Sequence, residues 1–172
     1  MKKFLGLLVM LLFISTTSVS AIRLAPNSDE ILDEMHSNQS NFIRYGGMST
    51  GVTLFIAKSS LNVEFYSPPN YIISAREVVY FNSGRIDRTE EGILKESTIR
   101  YKYDIANKKM YIETIDENKN LYWKYLDPTT RKNYKDDNPI AAGEYLFYLA
   151  YKISFYGQPV TPSAKKFINE GR

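Results

Sequence analysis

The hydrophobic pattern changes its period along the chain, and each change predicts a different element. Residues 4–14 form an apolar run behind a basic start, and residues 27–38 carry apolar residues at helical spacing. From Gly51 the period becomes two, which is typical of strands with one buried face. Residues 139–155 are apolar around most of a helical circumference, so the pattern predicts a buried helix there.

Both predicted helices begin at an asparagine. Asn27 is expected to cap the first helix, because its side-chain oxygen can accept a bond from a free backbone N–H. Asn138 is expected to cap the second helix, with Pro139 at the first helical position, where a missing N–H costs little. The apolar stripe of the first helix is predicted to consist of Ile31, Leu32 and Met35.

The second helix carries few polar residues, and they fall four apart. This spacing predicts one narrow stripe facing water, formed by Glu144, Tyr148 and Lys152. Gly157 and Pro159 are expected to end the helix. The tail from about 158 is expected either to form a last helical turn or two or to be mobile.

The period-two region predicts an antiparallel meander of about five to six strands. Short polar intervals between the later runs indicate hairpins. We expect a flexible connection at 46–51 and a charged excursion at 85–95. The apolar and charged alternation at 97–104 predicts a sheet with one face on a core and one in water. The strand runs lie at 52–57, 62–66, 71–81, 97–104, 109–115 and 121–126. The fold class is therefore α+β, with a short N-terminal helix and a buried C-terminal helix packed on one sheet face.

Residues 1–21 have the pattern of a secretory signal peptide. The apolar run is too short to span a bilayer, and Val19-Ser20-Ala21 provides the small residues that precede cleavage. We expect residues 22–172 to be a single exported α+β domain in the periplasm, at the cell surface or outside the cell. No second long apolar run follows, so no transmembrane segment is expected in the mature chain. The two-lysine start favours a bacterial source.

Composition excludes several chemistries. The chain has no cysteine, so it has no disulfide framework, thiolate nucleophile or lipid-anchor thiol. The formal net charge is +3, and removal of Lys2 and Lys3 leaves +1 with acids interspersed, which disfavours nucleic-acid binding. His36 is the single histidine, and its place near a helix end indicates a structural role rather than catalysis or zinc binding. We expect no metal and no cofactor.

Carboxylates keep two alternatives open. A small carboxylate-based hydrolase would need two acids held across a substrate, and the candidates are Glu64, Glu77, Glu113 and Glu144. Oxygen ligands for Ca²⁺ could come from Asp127 and from Asp136-Asp137-Asn138, although the spacing differs from that of an EF-hand loop. A solvated loop and a helix cap explain the second group better. The prediction is a protein that is not an enzyme.

The chain contains 14 tyrosines, a residue type enriched in recognition surfaces. Most are expected to fill strands and the core. On the last predicted strand, Tyr122 and Lys124 are assigned to the water side, and Trp123 and Tyr125 to the opposite side. The candidate ligand-binding residues on the water side of the meander are Arg100, Lys102, Tyr111, Glu113, Tyr122 and Lys124.

Residues 43–127 show a family resemblance. The run 52–63 contains a strand, a lysine-serine turn and another apolar stretch, in that order. The runs 100–104 and 110–112 are expected to form a hairpin, and the segment 123–128 follows it. This order resembles that of surface-adhesin protein E-like domains of bacteria. The resemblance implies a small α+β surface domain that binds host or matrix proteins without catalysis, and it transfers no binding residue.

The leading hypothesis is an exported bacterial envelope or surface protein that acts as a non-catalytic, adhesin-like binding module. Its ligand would be a protein or a glycan at the cell envelope or on a host surface. The alternative is a periplasmic accessory or inhibitor protein that packs its sheet against a partner or against a second copy, as a homodimer. The carboxylate-based hydrolase is the third hypothesis.

Overall fold

The computed structural model describes residues 23–47, 51–82, 91–129 and 134–170. Within these ranges the chain forms one antiparallel sheet of six strands that follow one another in chain order. The predicted α+β meander with a C-terminal helix is confirmed, whereas the predicted signal peptide at 1–21 lies outside the described residues. The strands are β1 (Phe42–Gly47), β2 (Val52–Ser67), β3 (Asn70–Asn82), β4 (Glu91–Asp104), β5 (Lys109–Ile115) and β6 (Leu121–Leu126), and the helices are α1 (Ser28–Ser37), α2 (Tyr134–Tyr151) and α3 (Pro162–Glu170).

Helix α1 forms where the apolar spacing predicts it. Ile31 and Met35 are buried, Leu32 is half-buried, and two acidic residues occupy the first turn, where the helix dipole favours negative charge. Asn27 stands at the N-cap position but makes no capping bond, and its Nδ2 donates to Glu96 Oε2 at 2.8 Å. The predicted cap is therefore wrong, because a tertiary contact with β4 uses the amide.

Strand β1 is absent from the sequence prediction. It includes Gly46 and Gly47, so the expected flexible connection is wrong for these two residues, and residues 48–50 lie outside the described ranges. A side chain fixes the strand's start: Asn41 Oδ1 accepts a bond from Ser59 N at 2.8 Å, and its Nδ2 donates to Ser59 Oγ at 3.0 Å. This tertiary contact aligns β1 beside β2, and the local hydrophobic pattern gives no sign of the strand.

Strand β2 is longer than predicted. It joins the runs 52–57 and 62–66 into one strand, with irregular pairing between Ala57 and Asn62. Inside this irregularity Ser60 Oγ accepts a bond from Arg76 N at 2.7 Å, so a hydroxyl replaces a missing backbone acceptor. Strand β4 already begins at Glu91. The expected excursion at 85–95 is therefore wrong from residue 91 onward, and residues 85–90 are not described.

Two cores lie on opposite sides of the sheet. Helices α2 and α3 cover one side, here called the helix face, and α1 covers part of the other side, here called the outer face. Neighbouring Ile56 and Ala57 belong to the two different cores, as strand alternation requires. The prediction of a fully wet second face is therefore wrong where α1 packs. The smaller core consists of Ile31, Met35, Phe42, Ala57, Val78 and Ile93.

Helix α2 is buried against the sheet, as predicted. It begins at Tyr134, so the predicted Asn138 cap is wrong and Pro139 lies inside the helix. It already ends at Tyr151, so the expected end at Gly157 and Pro159 is wrong too. Tyr101 and Tyr103 donate their hydroxyl groups to backbone carbonyls of α2, the first to Pro139 O and the second to Gly143 O, each at 2.8 Å. A Cβ at Gly143 would lie 2.0 Å from Met110 Sδ, so glycine permits this close approach. No helix in the described part of the chain is long and apolar enough to cross a bilayer.

The predicted water-facing stripe on α2 is wrong at Glu144. This carboxylate is fully buried and accepts bonds from Val160 N at 2.7 Å, Thr161 N at 3.1 Å and Thr161 Oγ1 at 2.9 Å. Thr161 Oγ1 in turn accepts from Ala164 N, which caps α3. The tail from 158 to 170 is thus a packed segment that ends in helix α3, so the helical alternative expected for the tail is the one found.

Candidate binding surface on the outer face

A row of large side chains crosses the uncovered part of the outer face. The strand register places each member opposite the next, so all of them point to the same side of the sheet. Phe65 and Tyr125, at its two ends, keep 46% and 43% of their surface exposed. We call this row the aromatic ladder, and it consists of Phe65, Ile72, Lys102, Tyr111 and Tyr125.

The ladder is held by ring and cation contacts. Tyr111 and Tyr125 have ring centroids 5.5 Å apart, and the Lys102 ammonium lies 5.8 Å from the Tyr111 ring centroid. Such cross-strand pairs contribute roughly 0.2–1 kcal/mol each, so they order the surface without making it immobile. The result is a firm, mostly apolar strip with one positive charge near its centre.

Beside the ladder, Arg100 is fixed by two carboxylates. Its Nη2 donates to Glu64 Oε2 at 2.6 Å, and its Nη1 donates to Glu113 Oε1 at 2.5 Å. The guanidinium carbon lies 5.7 Å from the Trp123 ring centroid. Glu64 comes from the irregular part of β2, Glu113 from β5 and Trp123 from β6, so four strands build this cluster. We call Arg100, Glu64, Glu113 and Trp123 the arginine cluster.

The ion pairs set the electrostatics of the cluster. The hydrogen bond from Arg100 lowers the pKa of Glu64 below its usual value, and the bonds to Glu64 and Glu113 raise the pKa of Arg100. Glu64 and Arg100 are therefore both charged at neutral pH. The carboxylates of Glu64 and Glu113 balance the positive charges of Arg100 and Lys102, so this part of the outer face is close to neutral. The strands hold these charged groups in place.

The structure brings together four of the six predicted binding residues. Arg100, Lys102, Tyr111 and Glu113 lie side by side on the outer face. Tyr122 and Lys124 instead point to the helix face, because Tyr122 pairs with Thr114 and Lys124 pairs with Ile112. The prediction for β6 is therefore wrong: the side chains assigned to the water side face the helices, and those assigned to the other side lie on the outer face.

Sequence reasoning missed five residues of this surface: Glu64, Phe65, Ile72, Trp123 and Tyr125. Trp123 lies opposite Glu113 and Tyr125 lies opposite Tyr111, and this pairing places both on the outer face. The available signal was the turn before β6, where Asp116 Oδ1 accepts from Asn118 N at 2.9 Å and Asn120 N at 2.8 Å. A hairpin closed by this turn fixes the register, and the register fixes the phase.

Strand β6 is also an edge of the sheet. It pairs with β5 on one side, and no strand of the described chain lies on its other side. Apolar residues stay open here, with Leu121 exposed to 65% and Ile115, its partner on β5, to 60%. An exposed edge with few charges is a template for pairing with another chain.

The other candidate chemistries do not converge on a site among the described residues. Glu77 bonds Tyr45 and Ser97, and Glu144 binds the C-terminal segment, so only Glu64 and Glu113 lie near each other, with Arg100 between them. His36 is exposed near the end of α1, with Nε2 4.0 Å from Glu91 Oε1. The described residues contain no group of three or more histidine, aspartate or glutamate side chains placed to hold a metal. The side chains of Asp136 and Asp137 lie outside the described set, and Asp127 bonds Thr129.

No protein-family model, curated protein or solved structure matches this chain. The resemblance of residues 43–127 to surface-adhesin protein E-like domains therefore stays a prediction.

Proposed function

We propose that the protein is an exported bacterial envelope or surface protein that acts as a non-catalytic, adhesin-like binding module. The observation that carries the proposal is the uncovered outer face, where the aromatic ladder adjoins the arginine cluster. Tyrosine, tryptophan and arginine dominate the energetics of protein interfaces, because they combine large contact area with polar tips. The bound partner is proposed to be a folded protein.

The pre-ordered state of this surface supports the proposal. Arg100 is held by two carboxylates and a ring, and Tyr111 is held between Lys102 and Tyr125. Side chains that are already held in this way lose little rotamer freedom when a partner covers them, so more of the contact energy appears as affinity. Desolvation would also strengthen the contact between Arg100 and Trp123.

We expect Tyr125→Ala to weaken partner binding at least about tenfold, because tyrosine is among the residue types whose truncation costs most at protein interfaces. Tyr122→Ala is the matched control, because Tyr122 is 46% exposed on the same strand but points to the helix face. Surface plasmon resonance against a panel of purified matrix proteins, glycans and envelope components would measure both. Equal losses in the two variants, or no binding across the panel, would contradict the proposal, and binding confined to glycans would replace the protein partner.

Location is tested separately, by protease shaving of intact producing cells beside a periplasmic control protein. We expect digestion of this protein while the control stays protected. Protection until the envelope is broken would place the protein in the periplasm, where the accessory or inhibitor function becomes the one to test.

The exposed edge of β6 favours this second candidate, in which the sheet pairs with a partner subunit or a second copy. Leu121→Lys places a charge on the open edge, where it should prevent strand pairing. We expect native mass spectrometry to show a dimer or a co-purifying subunit for the unchanged protein and a monomer for the variant. A monomer in both cases would eliminate the second candidate.

A further inference from the structure

A groove of about 880 Å³ runs along the other edge of the sheet, beside β1. Its lining includes residues from both sides of β1, such as Phe42 and Ile43, so the groove follows the edge of the strand rather than one face. The opposite wall is α3, which contributes Ser163, Lys166 and Phe167, three positions that share one side of a helix. A strand and a helix therefore enclose a channel whose volume is typical of ligand sites.

The strand wall offers unused hydrogen-bonding groups. β1 pairs only with β2, so a row of its backbone N–H and C=O groups has no neighbouring strand within the described chain. Backbone groups of this kind bind an extended chain by adding it to the sheet. At about 3.3 Å per residue, a strand of this length spans about 20 Å, enough for a segment of about six residues.

The groove also has a single sign of charge. Arg44, Lys58 and Lys166 line it, and no aspartate or glutamate is among its lining residues. Among the described residues, none of these three cations has an acidic side chain within ion-pair distance. A cleft lined by one sign of charge attracts the opposite sign and orients it on approach.

The floor of the groove is closely packed. Tyr45 and Tyr145 are almost fully buried, and the Tyr145 and Phe167 ring centroids are 4.3 Å apart. Tyr145 donates its hydroxyl to Ser163 O at 2.7 Å, which ties α2 to the start of α3. Helix α2 also packs against β1, so both walls of the groove rest on the same helix.

We propose that this groove binds an extended acidic segment of another protein, added to β1 as a further strand. The open edge of β1 supplies the backbone hydrogen bonds, and the three cations select acidic side chains. The site lies at the opposite edge of the sheet from β6 and uses no residue of the aromatic ladder or the arginine cluster, so it is independent of the surface proposed above.

The test uses a fluorescent, end-capped peptide that alternates valine and glutamate over six residues, the length of β1. Fluorescence anisotropy is expected to show saturable binding with a Kd below about 1 mM. The same peptide with lysine in place of glutamate should not bind. N-methylation of alternate backbone nitrogens should abolish binding, because it removes the hydrogens that pair with β1.

The matched variants are Lys166→Glu and Lys165→Glu, neighbours on α3 that are both exposed, of which only Lys166 lines the groove. We expect the first to weaken peptide binding at least about tenfold, and the second, like Tyr125→Ala, to change it less than about twofold. Equal effects at Lys165 and Lys166, or tolerance of N-methylation, would overturn the proposal. Displacement of the peptide by millimolar inorganic phosphate would also overturn the proposal, because it would show that the groove is a simple anion site.

Discussion

Replacing Glu144 with alanine is expected to lower the free energy of unfolding by about 3 kcal/mol. The carboxylate is fully buried and accepts bonds from Val160 N, Thr161 N and Thr161 Oγ1. Its removal leaves the buried Thr161 N–H and the half-buried Val160 N–H without this acceptor, and an unsatisfied buried donor costs about 1–3 kcal/mol. These bonds also attach the segment before α3 to α2, so the change should loosen the whole C-terminal segment.

Urea denaturation followed by circular dichroism measures this loss, with Glu117→Ala as the control. Glu117 lies exposed between β5 and β6, and its removal should change stability by less than about 0.5 kcal/mol. Thr161→Val keeps the side-chain shape but removes the hydroxyl that bonds Glu144. Because both changes remove the same bond, the double variant should lose less than the sum of the single losses. A loss below about 1 kcal/mol for Glu144→Ala would show that the buried carboxylate is not a major support of the fold.

Local pattern was sufficient where strands are joined by short turns. β5 and β6 have the bounds that alternation predicts, 109–115 and 121–126, because polar turn residues end each run. The α+β class and the buried C-terminal helix follow from the same reasoning. In the β5–β6 hairpin each strand's neighbour in space is also its neighbour along the chain, so local signals and tertiary contacts agree.

Elements that depend on distant contacts were not predictable. β1 has two glycines, and a side-chain bond between Asn41 and Ser59 fixes its start. Glu144 shows the same limit on a helix, since one acidic residue among apolar ones can mark either a wet stripe or a buried acceptor. Only the fold of the tail from 158 to 170 decides between these readings.

The candidate surface illustrates how one strand's phase decides a site. Alternation separates Trp123 and Tyr125 from Tyr122 and Lys124, but it does not say which pair faces the core. Leu121 and Leu126 bound the strand with opposite phases, so apolar residues at its ends give contradictory signals. Pairing of Leu126 with buried Met110 settles the phase, and it places the tryptophan beside Arg100.

Alkaline pH is expected to unfold the protein in one cooperative step. Burial raises the pKa of Tyr45, Tyr101 and Tyr103 above the usual value, with Glu77 adding to the effect at Tyr45 and Tyr101, and raises that of Tyr145 to about 12. A tyrosine whose folded pKa is raised contributes stability that is complete below its unfolded pKa of 10 and is lost as the pH rises through the folded value.

Ionising several buried tyrosines in the folded state would cost more free energy than a domain has, since total stabilities are about 5–15 kcal/mol. Unfolding should therefore precede ionisation of Tyr101 and Tyr103, whose hydroxyls donate to carbonyls of α2 and would lose those bonds as phenolates. Near-ultraviolet phenolate absorbance and circular dichroism, recorded together between about pH 9 and pH 13, should show a partial first rise with the fold intact. A second rise should then coincide with loss of the fold. Tyr122→Phe, at an exposed site, should leave the midpoint of that second rise unchanged. Gradual ionisation of all 14 tyrosines with an unchanged dichroism spectrum would contradict the buried tyrosine network between β4 and α2.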